Sequence, residues 1–595
     1  MPLAQARHER LNNSVALAVF ASDPLSSVAY ATEEILLVLV VAGSAALSYS
    51  LPIALGIATL LAIVVLSYRQ TVAAYPHGGG AYLVARDNLG RLPALVAAAA
   101  LLADYVLTAA VSVAAGIAAL TSAFPALLPG RVLLGVAAVV LIAVGNLRGV
   151  RESGRLFALP TYVFIISVLV LVGYGTVAGM FGWLPEAPYE AHQPGVGGVG
   201  LFLVLRAYAA GCTALTGVEA VSNGVPALRA PEGRNAQTVM TWLGVLSIAM
   251  FLGITYLAFD FGIVPGGDET VLSRIARRVF GIGGPYYVIQ AATTLILLFA
   301  ANTAYADFPR LSSILARDGF VPRQFANQGD RLVFSNGIML LSGFTILLVV
   351  AFAGDTHALL PLYAIGVFIS FTLSQAGMVR RWLRRHGVGW RWRVCVNGVG
   401  AVTTCAVMLT LAITKFADGA WIVVLVIPAL VVTFLAMRRH YTRVAEALSL
   451  DGFGGAPALH HTVLVLVGDV HRGVLRAVQY ARTLAAPEAR VRAVFVETDP
   501  AHTARVEEKW TTWGLGVPLV VLASPYRSLV RPLLDYIDQI QARGANEMVT
   551  VVLPEFLPRR WWQHVVHNQT ALLIKATLLF RRNLVVADVP YLLRR

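Results

Sequence analysis

Charged side chains and cysteine are both scarce in this chain of 595 residues. Only 13% of the residues are charged, whereas about 25% is typical of a soluble domain. The three cysteines, Cys212, Cys395 and Cys405, show neither a disulfide framework nor the spacing of a zinc site. These shortages argue against a soluble globular protein, a disulfide-stabilised secreted protein and a zinc protein. We predict that the chain is not an enzyme.

Apolar residues dominate instead. They make up 57% of the chain, and the mean hydropathy is +0.71. Runs of about 20 apolar residues, each able to cross a bilayer as a helix, recur up to about residue 437. We predict a polytopic all-α membrane domain at 1–440, a linker at 441–461 and a cytoplasmic α/β domain at 462–595. The twelve predicted spans are 14–43, 48–73, 92–122, 131–148, 156–183, 199–228, 236–264, 286–308, 334–353, 357–380, 394–414 and 420–438.

The basic residues follow a pattern that predicts the orientation of these spans. Alternate loops are rich in arginine, for example 380–393 and 438–443, and the others are poor in it, with 265–285 as an exception. By the positive-inside rule, both termini lie in the cytoplasm. We expect the chain in the inner (plasma) membrane. The net charge of +14 is explained by these loops. We therefore expect the lipid bilayer, and no nucleic acid polymer, as a partner.

Two of the spans contain interruptions at matching positions. The first holds "ASDPLSS" at 21–27, and the sixth holds "AAGCTALTGVEA" at 209–220. Interruptions five spans apart predict two inverted five-helix repeats whose unwound segments meet near the middle of the bilayer and bind the substrate. Asp23 has a second interpretation, because Asp followed by Pro is a good N-cap for an outer half-helix that begins near residue 24.

Polar side chains inside the spans point to a cation as the substrate. Intramembrane carboxylates are costly and mark ion or proton paths, and oxygen ligands suit hard cations. The alternative for Asp104 and Glu219 is a structural hydrogen-bonded pair, and Glu33 and Glu34 are predicted to form a buried ion pair with Arg206. The candidate oxygen ligands are Asp23, Tyr30, Asp104, Thr108, Thr216 and Glu219.

Several segments together resemble the amino acid–polyamine–organocation (APC) superfamily, and more closely the KimA-type high-affinity potassium importers. They are "SDPLSSVAYATEEIL" (22–36), "YPHGGGAYLVARDNLG" (75–90), "ALTGVEAVSNGVPA" (214–227) and "ANTAYADFPRLSSILARDGFVPRQFANQGDRLVFSNGI" (301–338). The resemblance implies proton-coupled potassium import, two inverted five-helix repeats plus two further helices, and a homodimer. It also implies a cytoplasmic domain similar to universal stress proteins, and it adds Tyr363 to the six candidate ligands.

The main alternative is an amino acid or polyamine permease of the same superfamily. In the amino acid permeases the first interruption is glycine-rich, and its free backbone N–H groups bind the substrate carboxylate. Here Asp23 occupies that place. Two like charges about 4 Å apart cost roughly 4 kcal/mol at an effective dielectric constant of 20, which weakens binding by nearly three decades. The sequence therefore favours a cation over a zwitterion, and polyamines and cationic amino acids stay open.

The predicted mechanism assigns a role to each of these residues. Potassium binds to the Asp23 carboxylate, to the Tyr30 and Thr216 hydroxyl groups, and to carbonyl groups freed near Ala21 and Gly211. Asp104 with Thr108 forms a second cation stop toward the cytoplasm, Tyr363 closes one side, and two bundles rock to give alternating access. Glu219 is the predicted proton carrier, because the charge state of a buried carboxyl group responds to a nearby cation. No cofactor is expected.

The C-terminal segment alternates strands with helices. Strands are predicted at 462–470, 491–498, 517–524, 547–556 and 583–590, and helices at 472–484 and 527–544, which is a doubly wound pattern. This segment has neither a GxGxxG fingerprint nor a Walker motif. Nucleotides often bind at the carboxyl ends of such strands, here near 468–471, and the alternative is a pure dimerisation module. The family resemblance implies regulation by a cyclic dinucleotide, cyclic di-AMP.

Overall fold

A computed structural model describes residues 10–76, 78, 80–148, 154–184, 199–327, 334–451, 455, 459–484, 490–525, 528–544, 546–557 and 570–592. The chain divides into two compact units, Met1–Leu448 and Ser449–Arg595. The first unit is helical, and the second contains the strands. The predicted division at 440 and 461 stays a prediction. Part of the predicted linker, 452–454 and 456–458, lies outside the described residues.

The first unit is built mainly from helices. They are α1 (Asn13–Phe20), α2 (Ser22–Leu39), α3 (Ser50–Ala74), α4 (Ala81–Asn88), α5 (Arg91–Ala123), α6 (Arg131–Leu147), α7 (Gly154–Met180), α8 (Leu201–Gly211), α9 (Ala220–Gly224), α10 (Glu232–Asp260), α11 (Val271–Phe280), α12 (Gly284–Arg317), α13 (Ser335–Ala351), α14 (Thr356–Arg385), α15 (Trp390–Thr414) and α16 (Trp421–Ala447).

Within the described residues, 11 helical segments are long and apolar enough to cross a membrane. The chain is therefore a multi-pass membrane protein. The predicted span 334–353 corresponds to Ser335–Ala351, which is a shorter apolar helix, and the number of twelve spans stays a prediction. The predicted span 286–308 is too short, because α12 continues through Pro309 to Arg317.

Both predicted interruptions are present, and they differ in form. In the first, α1 ends at Phe20 and α2 begins at Ser22, so that Ala21 alone separates the two helices. In the second, α8 ends at Gly211 and a 3₁₀ turn covers Cys212–Leu215. The backbone is then extended at Thr216 and left-handed at Gly217, where φ is +81°. The sixth span is thus opened over more residues than the first.

The interrupted helices pack against a scaffold of long helices. α5 contacts α12 and α14, and α2 contacts α8, α10 and α12. Alanine-rich stretches such as "AAAALLADY" in α5 let the helices approach closely, as small residues do inside membranes. A β-carbon at Gly366 of α14 would lie 3.0 Å from the Ala100 carbonyl oxygen of α5. α5 and α14 therefore touch at the level of their backbones.

The second unit contains a parallel sheet of five strands in the order β3-β2-β1-β4-β5. The described helices pack on both faces, where two separate apolar cores form, as expected for a parallel sheet. The five predicted strands are confirmed to within a few residues, whereas helices α18 and α20 were not predicted. The elements are β1 (His460–Val467), α17 (Arg472–Leu484), β2 (Arg490–Glu497), α18 (Pro500–Thr512), β3 (Leu519–Ala523), α19 (Val530–Gln541), β4 (Glu547–Leu557), α20 (Thr570–Leu578) and β5 (Leu584–Leu592).

Candidate functional site

The two interruptions meet at Asp23 and Gly217. Asp23 lies in the first turn of α2, its side chain is buried, and its Oδ1 atom has no hydrogen-bond partner in the described part of the chain. A β-carbon at Gly217 would lie 2.6 Å from both Cγ and Oδ2 of Asp23. Glycine is therefore required at this position for two reasons: the backbone is left-handed, and the Asp23 carboxylate fills the space that a side chain would need.

The structure contradicts the capping interpretation of Asp23. α2 begins at Ser22, its N-cap is Ala21, and that end of the helix has no side-chain capping bond. The Ala21 carbonyl accepts a hydrogen bond from the Leu25 N–H at 3.0 Å, so this carbonyl is not freed by the interruption, and ligation of the ion by carbonyl groups near it stays a prediction. The interruption spans a single residue, which leaves the normal helical hydrogen bond in place.

Three hydroxyl groups form a connected chain beside Asp23. The Ser27 Oγ atom lies 2.9 Å from the Tyr30 hydroxyl and 2.8 Å from the Thr216 Oγ1 atom. The Thr216 hydroxyl donates to the Thr213 carbonyl at 2.8 Å. Each hydroxyl has one proton, so Tyr30 can donate to Ser27, and Ser27 can donate either to Thr216 or to the Asp23 backbone carbonyl at 3.1 Å. Oxygen lone pairs then remain for a cation.

Ser27 is a site residue that the sequence analysis did not select. It links the predicted ligands Tyr30, on α2, and Thr216, in the opened part of the sixth span. Its position four residues after Asp23 places it one helical turn further along α2, on a similar face. That spacing was the available signal.

Asp104 and Glu219 add two more buried carboxylates. The Oδ1 atom of Asp104 and the Oε2 atom of Glu219 are buried, and neither has a described hydrogen-bond partner. Electrostatic interactions connect Asp104 with Glu219 and Asp23. No described hydrogen bond joins Asp104 to Glu219, so the structural pair considered above is not formed. Like charges in a buried region need cations or protons to balance them.

Thr108 and Tyr363 lie on the neighbouring scaffold helices. Tyr363 on α14 interacts with the Thr108 side chain on α5. Tyr363 is buried and interacts electrostatically with Asp23 and Asp104. All seven predicted site residues therefore belong to one region, although Thr108 and Tyr363 reach Asp23 only through space and not through a described hydrogen bond.

A fourth carboxylate, Asp307 of α12, joins this region and was missed. It interacts electrostatically with Asp23 and Glu219. The Asn223 side-chain amide donates to Asp307 at 3.2 Å and to the Tyr105 hydroxyl at 2.9 Å. Arg310 lies 3.5 Å from the Asp307 carboxylate. The rule that selected the other intramembrane carboxylates applies to Asp307 as well, since it lies within a long apolar helix.

The predicted ion pair of Glu33 and Glu34 with Arg206 is wrong. Arg206 donates to Asp418 at 2.6 Å. Glu34 instead contacts the His357 imidazole, with 2.5 Å between Oε1 and Nδ1, and Glu33 lies 3.6 Å from Nε2 of the same ring. The partner is a histidine near the start of α14, which the spacing along the chain does not reveal.

The region of the second unit near 468–471 also carries charged groups. The Lys509 ammonium donates to Asp469 at 3.0 Å. Burial opposes ionisation of Asp469, but hydrogen bonds from Lys509 and from the Val470 amide outweigh it and hold the pKa of Asp469 below its ordinary value.

The described residues contain no cluster of three or more His, Cys, Asp or Glu side chains suited to a metal ion. Nucleotide binding near 468–471 stays a prediction.

Comparisons with known proteins show which families this chain is similar to. A family model described as Amino acid permease matches residues 11–438, and one described as KimA potassium transporter C-terminal domain matches residues 459–591. Potassium transporter KimA of Bacillus subtilis (strain 168) is 43% identical over 592 residues, which cover 98% of this chain and 96% of that protein. Among solved structures, an Eremococcus coleocola manganese transporter in complex with an aromatic bis-isothiourea substituted compound aligns at 13% identity. Its TM-score is 0.43, and the alignment covers 74% of this chain and 95% of that one.

Proposed function

The chain belongs to the KimA potassium transporters, which share the permease domain of the APC superfamily, and on that premise we propose that it imports potassium ions together with protons. A homologue named as a potassium transporter over nearly the whole length supports the choice of substrate. The alternative is a permease of the same superfamily for polyamines or cationic amino acids.

One observation supports a cation most directly. The buried Asp23 carboxylate has an oxygen without a described partner, and it lies at the meeting point of two interrupted helices. An anionic substrate group about 4 Å away would meet a repulsion of roughly 4 kcal/mol at an effective dielectric constant of 20. A monovalent cation gains a term of similar size, because the sign of the interaction is reversed.

The potassium ion binds among the oxygen atoms around Asp23. The Asp23 carboxylate supplies the charge, and the hydroxyl groups of Tyr30, Ser27 and Thr216 supply neutral oxygen ligands. Oxygen atoms of this kind replace the water molecules that a hard cation loses on binding. Asp104 with Thr108 forms a second stop toward the cytoplasm, and Tyr363 closes one side of the site.

Glu219 carries the proton. Its side chain is buried and interacts electrostatically with Asp23 and Asp307, so its charge state responds to whether a cation is bound. Potassium and proton thereby influence each other through one carboxyl group. Movement of both ions in the same direction makes the chain a symporter in this proposal.

Transport proceeds by alternating access. The two interrupted helices belong to inverted five-helix repeats within twelve spans, and one bundle rocks against the other around the site. Both termini lie in the cytoplasm, and the protein lies in the inner (plasma) membrane. The positive-inside pattern of the loops supports this orientation of the termini.

The C-terminal domain has the role of a regulatory module. It resembles universal stress proteins, joins two chains into a homodimer and binds cyclic di-AMP near the carboxyl end of β1. The parallel sheet with helices on both faces supports a nucleotide site at that edge. Titration calorimetry of the full chain with cyclic di-AMP tests this assignment, and the absence of binding heat would remove the nucleotide from the proposal.

Uptake into proteoliposomes tests the transport function. We expect the wild type to take up potassium and the Asp23→Asn variant to lose that uptake. Asp260→Asn is a matched control, because Asp260 is an exposed carboxylate at the end of α10. Wild-type potassium uptake by Asp23→Asn would contradict the proposed site. Uptake of putrescine or lysine instead of potassium by the wild type would favour the alternative.

A further inference from the structure

Glu33, Glu34 and His357 form a cluster of titratable side chains that the proposed ion site does not use. The two glutamates lie near the middle of α2, and His357 lies in the first turn of α14. The carboxyl side chains are only 7% and 6% exposed, whereas the imidazole is 44% exposed. Water can therefore reach the imidazole ring while the carboxylates stay buried behind it.

The distances from the two ring nitrogens to the carboxylates indicate how many protons this cluster holds. Nδ1 of His357 faces Glu34 at 2.5 Å, and Nε2 faces Glu33 at 3.6 Å. A neutral imidazole has only one N–H group. Nδ1 is within hydrogen-bonding distance of Glu34, and Nε2 is within ion-pair distance of Glu33. One proton more than a neutral ring and two carboxylates would therefore stabilise the cluster. That additional proton can be exchanged, because histidine and carboxyl groups can both release it.

Charged groups on the neighbouring elements surround the cluster. On its own helix, the backbone N–H of His357 donates to the Asp355 carboxylate at 2.9 Å. The positive charge of Arg274 on α11 acts on Glu33, and that of Lys415 acts on Glu34. Lys415 is in turn close to Asp418 and Arg206. The cluster thus has cations on two sides, which help to hold its negative charge inside the protein.

A small, partly open cavity extends from His357 and Glu33 to Tyr30. This cavity has a volume of about 30 Å³ and is lined by Glu33, His357, Thr356, Thr293 and Tyr30 among others. A volume of this size holds about two water molecules. The Thr356 hydroxyl is buried at the cavity without a described hydrogen-bond partner. An unpartnered buried hydroxyl at such a cavity marks a place for an ordered water molecule.

The cavity ends at a residue of the proposed potassium site. Tyr30 lines the cavity and is also the first member of the hydroxyl chain with Ser27 and Thr216. Water in the cavity is therefore one side chain away from the central oxygen atoms. His357 and Glu33 lie at one end of this cavity and Tyr30 lies at the other.

We propose that Glu33, Glu34 and His357 are the proton-loading site of the transporter on its outer side. A proton from external water adds to the cluster, leaves it as a hydronium ion in the cavity water, and is taken up by the central carboxyl groups. No covalent bond other than that to the proton forms or breaks. This inference rests on the proposed proton coupling and adds the place where the proton enters.

The variant His357→Arg separates proton loading from a structural role. Arginine keeps a planar positive group that can bridge Glu33 and Glu34, but it does not release its proton in proteins. We expect His357→Arg to bind potassium in detergent as the wild type does, and to lose potassium-driven proton uptake in proteoliposomes that contain the pH dye pyranine. Glu34→Gln, which keeps the side-chain shape, should show the same loss if His357→Arg does not fold.

Matched controls separate this inference from the proposed function. His440→Arg, at an exposed position of α16, should keep wild-type proton uptake. If the wild type moves potassium without protons, the proposed coupling fails. If the wild type is coupled and His357→Arg is coupled equally, the proton-loading site alone is overturned. Weakened potassium binding by His357→Arg with unchanged coupling would also overturn it, because the cluster would then serve the ion.

Discussion

Gly217 lies so close to the Asp23 carboxylate that no residue with a larger side chain fits at position 217. A β-carbon at Gly217 would lie 2.6 Å from Asp23 Cγ, and the backbone at this position has a φ of +81°. The contact joins the opened part of the sixth span to the first turn of α2. The position of the central carboxylate is thus fixed by a backbone segment rather than by a second side chain.

Gly217→Ala should abolish potassium uptake and lower the thermal unfolding midpoint. The left-handed backbone alone costs a residue with a β-carbon about 1–2 kcal/mol, and the new methyl group displaces the Asp23 carboxylate. Unfolding in detergent with and without potassium measures both effects. Gly145→Ala is the control, because a β-carbon there has no other atom within 4 Å. Equal behaviour of the two variants would contradict the close contact at Gly217.

Thr216→Val should weaken potassium binding by roughly tenfold, since the loss of one hydrogen-bonding oxygen from a buried site costs on the order of 1 kcal/mol or more. The substitution keeps the side-chain shape and removes the oxygen that contacts Ser27 at 2.8 Å. The potassium concentration at half-maximal uptake measures the effect. Thr433→Val removes an exposed hydroxyl from α16 and should leave uptake unchanged.

Asp307→Asn should raise the potassium concentration needed for half-maximal uptake by about fivefold, which corresponds to about 1 kcal/mol. The change removes a negative charge that acts on Asp23 and Glu219, and it keeps an oxygen that can accept the bond from Asn223. Asp260→Asn serves again as the control. An unchanged uptake curve would show that Asp307 only positions Asn223 and Arg310.

Lys575→Met should destabilise the C-terminal unit at neutral pH by at most about 1 kcal/mol, the usual size for partly exposed ion pairs. Lys575 lies 2.6 Å from Glu555 and 2.8 Å from Asp588. Burial opposes its charge, but hydrogen bonds to Asp588 and Glu555 outweigh it and raise the pKa of Lys575 above its ordinary value of 10.5.

The sign of the pH dependence follows from that raised pKa. A group with a raised folded-state pKa contributes its full stability below its unfolded-state pKa and loses it as the pH rises through the folded-state pKa. The difference between wild type and Lys575→Met should therefore be constant from about pH 6, where carboxyl groups are ionised, to about pH 10, and should shrink above pH 10.5. Denaturant unfolding of both proteins across this pH range measures it. A difference that grows with pH would contradict the assigned ion pairs.

The sequence predicted the membrane helices and the central carboxylates because both depend on one strong rule, the cost of polar groups in a bilayer. Asp23, Asp104 and Glu219 stand out against apolar neighbours. The strands of the C-terminal unit were equally clear, since buried parallel strands are continuous apolar runs.

Partnerships between distant segments could not be predicted in the same way. Arg206 was assigned to Glu33 and Glu34 because all three lie in outer parts of spans, but only the packing of α14 and of residues 416–420 places His357 and Asp418 as the partners. The helix start at Ser22 was also missed, since the sequence placed the start near residue 24. The intact hydrogen bond from the Leu25 N–H to the Ala21 carbonyl lets the helix begin two residues earlier.

The backbone contact between Gly366 and Ala100 links two parts of the site mechanically. It leaves no gap between α5, which carries Asp104, and α14, which carries Tyr363. The Asp104 carboxylate and the Tyr363 phenol are consequently held on two helices that move as one rigid unit. A fluorescent or spin label attached to either helix near this contact should register the same conformational transition at the same moment.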